Sequence, residues 1–363
     1  MTCLYKKIRR ATEDNLFNRA NVVSITLIAI FITVAFMIMA EGSSGSKTEH
    51  LELSTVAGYF QQDDPGTDAA SFDFTKNNFG LIKRSYENDA LFDPDLKMTQ
   101  WQRFEAEVFH LNSRSGPNTK YKVLYMGRHG EGYHNIAESF YGTKAWDCYW
   151  SRQNGNETMS WLDAELSPLG VSQAQSAHKF WAEMIEVEKI PIPEVYYVSP
   201  LLRCQQTAWN TFSGLNLPID KPFKPVIKEL LRECIGAHKC DMRSPKSKIQ
   251  ARYPDWVFEN GFSETDKLWS SILRETDEAI DQRTKIVLDD ILLNDKHTFI
   301  SISSHSGQIG SALRVLGHRE FKLSTGQAIP VLVKINKISG PSPPVNKAPW
   351  FIPEICETPP GIT

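Results

Sequence analysis

Three short apolar runs do most to limit what this chain can fold into. Tyr121–Met126, Val195–Ser199 and Phe299–Ser303 each read as a buried strand, and each leads on to a stretch of helical character. Between the first and second lies Leu169–Glu188, with Ala, Phe, Trp, Met and Ile at helical spacing behind a Ser167-Pro168 start. The second run passes into PLLRCQQTAWNTF, a helix with proline near its first turn. The third passes into SHSGQIGSALRVLG, which turns at Gly307 into a helix ending at Gly317. Val331–Ile335 supplies a last strand. This alternation predicts an α/β fold, a three-layer αβα sandwich with a mostly parallel central sheet. About a hundred residues, including Trp256 and Trp269, separate the second and third runs, which predicts a helical insertion or cap.

In an open parallel sheet, ligands bind beyond the carboxyl ends of the strands. The first run delivers Arg128 and His129 there, the second Arg203 on the first turn of its helix, and the third His305. Four such side chains from three strands describe an anion pocket, and SHSG at 304–307 adds backbone N–H donors at a helix start. An arginine keeps its charge and a histidine titrates near neutrality, which suits an anionic group in proton or phosphoryl chemistry. His134 has no HExxH or Cys/His set to join, and reads as packing or hydrogen-bonding beside the pocket. Trp146, Trp150 and Trp161 either wall the pocket mouth or pack in the core. His110, His178, His238, His297 and His318 read as surface or structural.

Upstream of the sheet the chain changes character. Val22–Ala40 holds nineteen residues without charge or proline, which as a helix would cover roughly 28 Å of a ~30 Å bilayer core. The run is apolar on every side, which predicts a retained transmembrane signal-anchor over 22–40, with cleavage near Ala40 as the alternative. Lys6, Lys7, Arg9, Arg10 and Arg19 precede it, so 1–21 would be a cytoplasmic tail. The protein would then be single-pass type II, with its main domain lumenal or extracellular. Residues 41–50 read as a Ser/Gly-rich stalk, 51–120 as a lead-in packed on the core with a helix around Trp101–Leu111, 121–340 as the main domain, and 341–363 as an irregular Pro-rich tail. On that side of a membrane Asn156, in an Asn-Glu-Thr sequon, could carry a glycan. Cys148, Cys204, Cys234, Cys240 and Cys356 follow the span, with Cys234 and Cys240 the most local candidate bridge. A net charge of -3 provides no basic field for nucleic acid.

RHGEGYHN (128–135), LSPLGVSQA (166–174), SPLLRCQQTA (199–208), LRECIG (231–236) and SHSGQIGSALRVLGH (304–318) together resemble the histidine phosphatase superfamily, also called phosphoglycerate mutase-like, and its fungal phosphomutase-like members in particular. The resemblance implies His129 as a nucleophile that is phosphorylated in turn. It makes Arg128, Arg203 and His305 the binders of the phosphoryl oxygens, with Asn135, Ser306 and Gly307 as further substrate contacts. Glu233 of Leu231-Arg232-Glu233 would be the general acid, with Glu229 as its rival. No metal or cofactor is implied, and the partner is a phosphorylated small molecule. The implied activity is phosphomonoester hydrolysis through a phosphohistidine; a phosphomutase and an inactive phosphate-binding module are the alternatives. Physically, two arginines and a protonated His305 would meet the charge on three equatorial oxygens. A neutral His129 would attack, and Glu233 would protonate the leaving oxygen and later activate water.

Overall fold

A computed structural model describes residues 49–343 and 348–360. The chain divides into two compact units. In the unit made of Met1–His50 and Ser339–Pro343, His50 Nδ1 lies 3.4 Å from the Gly340 carbonyl oxygen. Everything below concerns the other, Leu51–Ile338 with Pro344–Thr363, apart from the outer ends of two strands.

Its strands are β1 (Glu49–Thr55), β2 (Thr119–Arg128), β3 (Val195–Val198), β4 (Val226–Ile227), β5 (Val257–Phe258), β6 (Arg274–Glu275), β7 (Phe299–Ser304), β8 (Ala328–Ser339) and β9 (Trp350–Phe351). Besides single turns, the helices are α1 (Gln100–Arg114), α2 (Tyr133–Tyr141), α3 (Thr143–Cys148), α4 (Pro168–Glu183), α5 (Leu202–Phe212), α6 (Lys246–Arg252), α7 (Asp277–Asn294) and α8 (Ser306–Val315). The main sheet has the order β1-β8-β2-β7-β3-β4-β5. From β2 to β5 the neighbours run parallel, and β8 lies antiparallel to β2. Arg128 pairs with Ser304 and Val198 with Ser303, so β2, β7 and β3 end level with one another.

Alternation along each central strand feeds two cores. Leu124 and Met126 of β2 and Ile300 and Ile302 of β7 pack with Leu288 and Ile291 of α7 and Ile309 and Leu313 of α8. Val123 and Tyr125 face the other way, among Trp101 and Phe104 of α1 and Phe180 and Trp181 of α4. Phe60, Phe74 and Phe79 of the lead-in belong to that second core and are at most 2% exposed. Each large side chain buried this way contributes about 2–3 kcal/mol, so the lead-in is integral to the domain. Local signals start the helices. Thr99 and Gln102 form a reciprocal cap on α1. Ser167 caps α4, with Pro168 following it. A Cβ on Gly130 would meet the Gly170 carbonyl oxygen at 2.4 Å, and one on Gly170 the Glu131 oxygen at 2.0 Å. Only glycine lets the loop after β2 lie on the first turn of α4.

Four expectations are corrected. The transmembrane helix is not an element of this architecture: no helix among the described residues is long and apolar enough to cross a membrane, and Val22–Ala40 lies outside them. The longest described helix, α7, is charged on one face and buried on the other. The stretch between β3 and β7 is not a helical cap, because beside α6 and α7 it adds β4 and β5 to the sheet and β6 to a second ladder. Nor is the tail irregular throughout, since β9 pairs with β6. Finally, Cys148 is bonded to Cys356, while Cys234 and Cys240 are free.

Candidate active site

Because β2, β7 and β3 end together, the loops and helices that follow them converge on one open pocket of about 280 Å³. Arg128, His129, Asn135, Arg203, Glu233, Ser306 and Gly307 all line it. His305 sits directly behind, with its ring centroid 5.1 Å from that of His129.

His129 is fixed twice. Its backbone N–H donates to the Ser304 carbonyl at 3.0 Å, and its Nδ1 lies 2.7 Å from the Gly130 carbonyl. A carbonyl can only accept, so Nδ1 carries the proton and Nε2 keeps its lone pair. Burial, followed by Arg203 and Arg128, pushes the pKa of His129 well below the ordinary histidine range. The imidazole is therefore a neutral base with one free nitrogen, the form a nucleophile needs.

Arg203, fully buried, spends its donors on the protein. Nε donates to His305 Nδ1 at 3.2 Å, Nη1 to the Cys240 carbonyl at 2.6 Å and Nη2 to Asp241 Oδ1 at 2.9 Å. Burial opposes its charge, yet Asp241 holds its pKa above the ordinary value. Burial pulls Arg128 down; its Nη1 donates to the Leu323 carbonyl and its Nε is buried without a partner.

His305 departs from expectation. Its Nδ1 accepts from Arg203, its Nε2 lies 2.8 Å from Ser199 Oγ, and burial followed by Arg203 pushes its pKa well below the ordinary range. A proton on Nδ1 would point at the arginine, so His305 is neutral and the expected imidazolium is not there.

The two candidate acids separate cleanly. Glu229 is taken by Arg243 at 2.8 Å and Arg232 at 3.0 Å, and does not line the pocket. Glu233 does, half-buried, at the start of α8. Its Oε2 accepts from the Gly307 N–H at 3.1 Å and Ser306 Oγ at 3.4 Å, and its Oε1 from the Cys234 N–H at 3.0 Å. Ser306 and Gly307, expected to bind substrate, thus hold the acid. Asn135 uses Oδ1 on the Gly132 N–H at 3.0 Å, which closes the loop behind His129.

The pocket also includes Asp241 and Arg274, which no sequence pattern singles out, and His238, which read as surface or structural. Asp241, the partner of Arg203, has no spacing that would flag it. Arg274, on two-residue β6, donates from Nη1 to the Gly236 carbonyl at 2.8 Å and lies 3.4 Å from Asp241. His238 is a wall residue, and His134 is buried with its ring 5.3 Å from that of His129. Of the three tryptophans Trp146 lines the pocket, whereas Trp161 is fully buried and Trp150 packs beside it. His238, Cys240 and Asp241 could offer a cation one ligand atom each within 4.8 Å, but Asp241 already serves two arginines. Asn156 sits in a turn with Nδ2 donating to Tyr141 Oη at 2.9 Å.

A parallel α/β sheet that gathers an oriented imidazole, two arginines and a carboxylate at its strand ends has the working parts of a phosphoryl-transfer enzyme. The chain belongs to the histidine phosphatase superfamily, whose branch 1 model matches residues 124–331. It is 50% identical over 285 residues to a protein of Arthroderma benhamiae named "Probable phosphoglycerate mutase", covering 78% of this chain and 85% of that one. It is 37% identical over 314 residues to "Phosphomutase-like protein 3" of Candida albicans, covering 85% and 88%. Among solved structures, a "putative alpha-ribazole-5'-P phosphatase" from Escherichia coli aligns over 58% of this chain and 89% of its own, at 20% identity and a TM-score of 0.35. The activity is of the phosphatase or mutase type.

Proposed function

We propose that the protein is a metal-independent phosphomonoester hydrolase that works through a phosphohistidine on His129. The observation that carries this is the tautomer of His129: its proton is committed to the Gly130 carbonyl, which leaves Nε2 to attack phosphorus. Arg128 and Arg203 bring positive charge to the phosphoryl oxygens, which is most of what phosphoryl transfer asks of a protein. Glu233 gives its proton to the leaving oxygen and takes one from the water that cleaves the phosphohistidine, each role worth roughly 10²–10⁴ in rate. No metal is needed for that charge, and the carboxylate of the His238, Cys240 and Asp241 cluster is spent on arginines.

A mutase reading is favoured by the names of the fungal relatives. Hydrolysis is supported by the Cys148–Cys356 bond, which fits a lumenal or extracellular domain, where a disulfide persists and a glycolytic mutase has no substrate. The full-length protein is incubated with a panel of phosphomonoesters, with and without chelator, and the products are counted. Release of inorganic phosphate, unaffected by chelator, with an acid-labile and alkali-stable phosphoenzyme on quenching, is the expected result. Exchange of phosphate between positions without release would make it a mutase. Loss of turnover with chelator would end the metal-free mechanism.

A further inference from the structure

The pocket is wider than a phosphoryl group needs, and part of its wall is acidic. Glu138 of α2 and Asp147 of α3 line it beside the buried Trp146. The arginines there have partners of their own. Arg203 is bound to Asp241, Arg274 to Asp241 and the Gly236 carbonyl, and Arg128 to the Leu323 carbonyl. The partners of Glu138 and Asp147 are weaker, a hydroxyl and an uncharged imidazole. Among the described residues neither has an arginine or lysine within ion-pair distance. Thr143 Oγ1 lies 3.4 Å from Glu138 Oε1, and His238 Nε2 lies 3.6 Å from Asp147 Oδ1. That histidine carries no charge to offer, because burial brings its pKa down to about 3. Glu138 also senses Asp147. Burial first and then Asp147 raise the pKa of Glu138, and burial raises that of Asp147, with Arg274 only partly opposing.

A substrate tail reaching this wall meets two carboxylates that can accept hydrogen bonds and repel negative charge. From this we infer that the pocket selects phosphomonoesters with an uncharged, hydroxyl-bearing tail and rejects those with a second anionic group near the phosphoryl, Glu138 and Asp147 being the specificity-determining residues. The inference rests on the hydrolase reading and adds the substrate class. It also separates this chain from the substrate that the relatives' names suggest, because phosphoglycerate carries a carboxylate where glycerol phosphate carries a CH₂OH group.

That pair of esters is the test. Glycerol 3-phosphate and 3-phosphoglycerate are compared as competitors of nitrophenyl phosphate hydrolysis by the full-length protein, so that inhibition constants are obtained whether or not either is turned over. At low salt glycerol phosphate should bind about tenfold more tightly, the size of one partly screened like-charge contact. The ratio should shrink toward one in Glu138→Gln and Asp147→Asn, and also in the unmodified protein as salt is raised, a readout that needs no variant to fold. Tighter binding of 3-phosphoglycerate, or a ratio insensitive to both salt and the substitutions, overturns the inference and leaves the hydrolase reading standing. Failure to turn over nitrophenyl phosphate or any ester of the panel overturns the hydrolase reading, and the inference with it.

Discussion

Gly307 is where the acid and the start of α8 are locked together, and it has no room for a methyl group. A Cβ there would lie 2.1 Å from Glu233 Oε1 and 3.1 Å from its Cδ. Ordinary contact begins near 3.4 Å, so Gly307→Ala must drive the carboxylate away by about 1.3 Å. The backbone cannot yield much, since Gly307 is in the first turn of a helix whose Ile309, Ala312 and Leu313 are buried. The move breaks the bond from the Gly307 N–H and loosens those from Ser306 and Cys234. Hydrogen bonds contribute about 0.5–1.5 kcal/mol each, and a reacting group misplaced by ~1 Å costs on the order of 10²-fold in rate. Alanine itself favours a helix over glycine by about 1 kcal/mol, so the variant should stay folded. The expected result is a kcat about 100-fold lower for an alkyl phosphate. Nitrophenolate departs without a proton, so stopped flow on nitrophenyl phosphate should still show a rapid first turnover followed by a slow steady state. If the folded variant keeps its alkyl phosphate kcat within about threefold, Glu233 does not act from this position.

Glu233→Gln should let an alkali-stable phosphoenzyme accumulate from nitrophenyl phosphate, read by quenching in alkali, with acid treatment of the quenched protein releasing the phosphate. Glu229→Gln should instead lose roughly 3 kcal/mol of stability in urea titration, because it takes the carboxylate from buried Arg243, whereas Arg232 keeps Asp266. Burial holds His129, His134 and His305 well below the ordinary histidine pKa, and His238 at about 3, so the unfolded chain takes up their protons first as pH falls. Stability is therefore lost on acidification from about pH 6.5, by up to ~1.4 kcal/mol per pH unit for each histidine, which urea midpoints at pH 7 and pH 5 will read; equal midpoints would refute it. The Cys148–Cys356 bond closes a separation of 208 residues, for which chain entropy sets a ceiling of about 5 kcal/mol. Cys356→Ser should thus lower Tm, and without reductant Cys204, Cys234 and Cys240 should be alkylated in the denatured chain while Cys148 and Cys356 are not.

The parallel core was legible because β2, β3 and β7 are buried and carry that burial in their own residues, as runs such as VLYM and FISIS show. Arg128, His129, Arg203 and Glu233 were legible for a related reason: each sits at a fixed offset from a strand or in a recognisable short motif. β4, β5 and β6 escaped because two-residue strands have no period, and their pairing is decided by partners far along the chain. The disulfide escaped because pairing follows space, not sequence distance. Asp241 and the neutrality of His305 escaped because both are properties of a contact. Nothing in SHSG says that an arginine one hundred and two residues earlier will donate to the ring.

That contact changes where the site gets its charge. A protonated His305 beside Arg203 and Arg128 would gather three cations at the strand ends, two of them fully buried, each of those costing several kcal/mol to desolvate and all repelling one another. The fold avoids this by making His305 an acceptor for Arg203 and setting Asp241 against the same guanidinium. Arg203 then keeps its charge in full burial, held by three partners, and has donors left over from the five it carries. Its plane is set before substrate arrives, so no reorganisation is needed as charge develops on the phosphoryl oxygens. His305 in this arrangement is a positioning residue, held between Arg203 on one side and Ser199 on the other. In the proposed mechanism the two arginines would supply the positive charge, Asp241 would fix where it points, and Glu233 would time the proton.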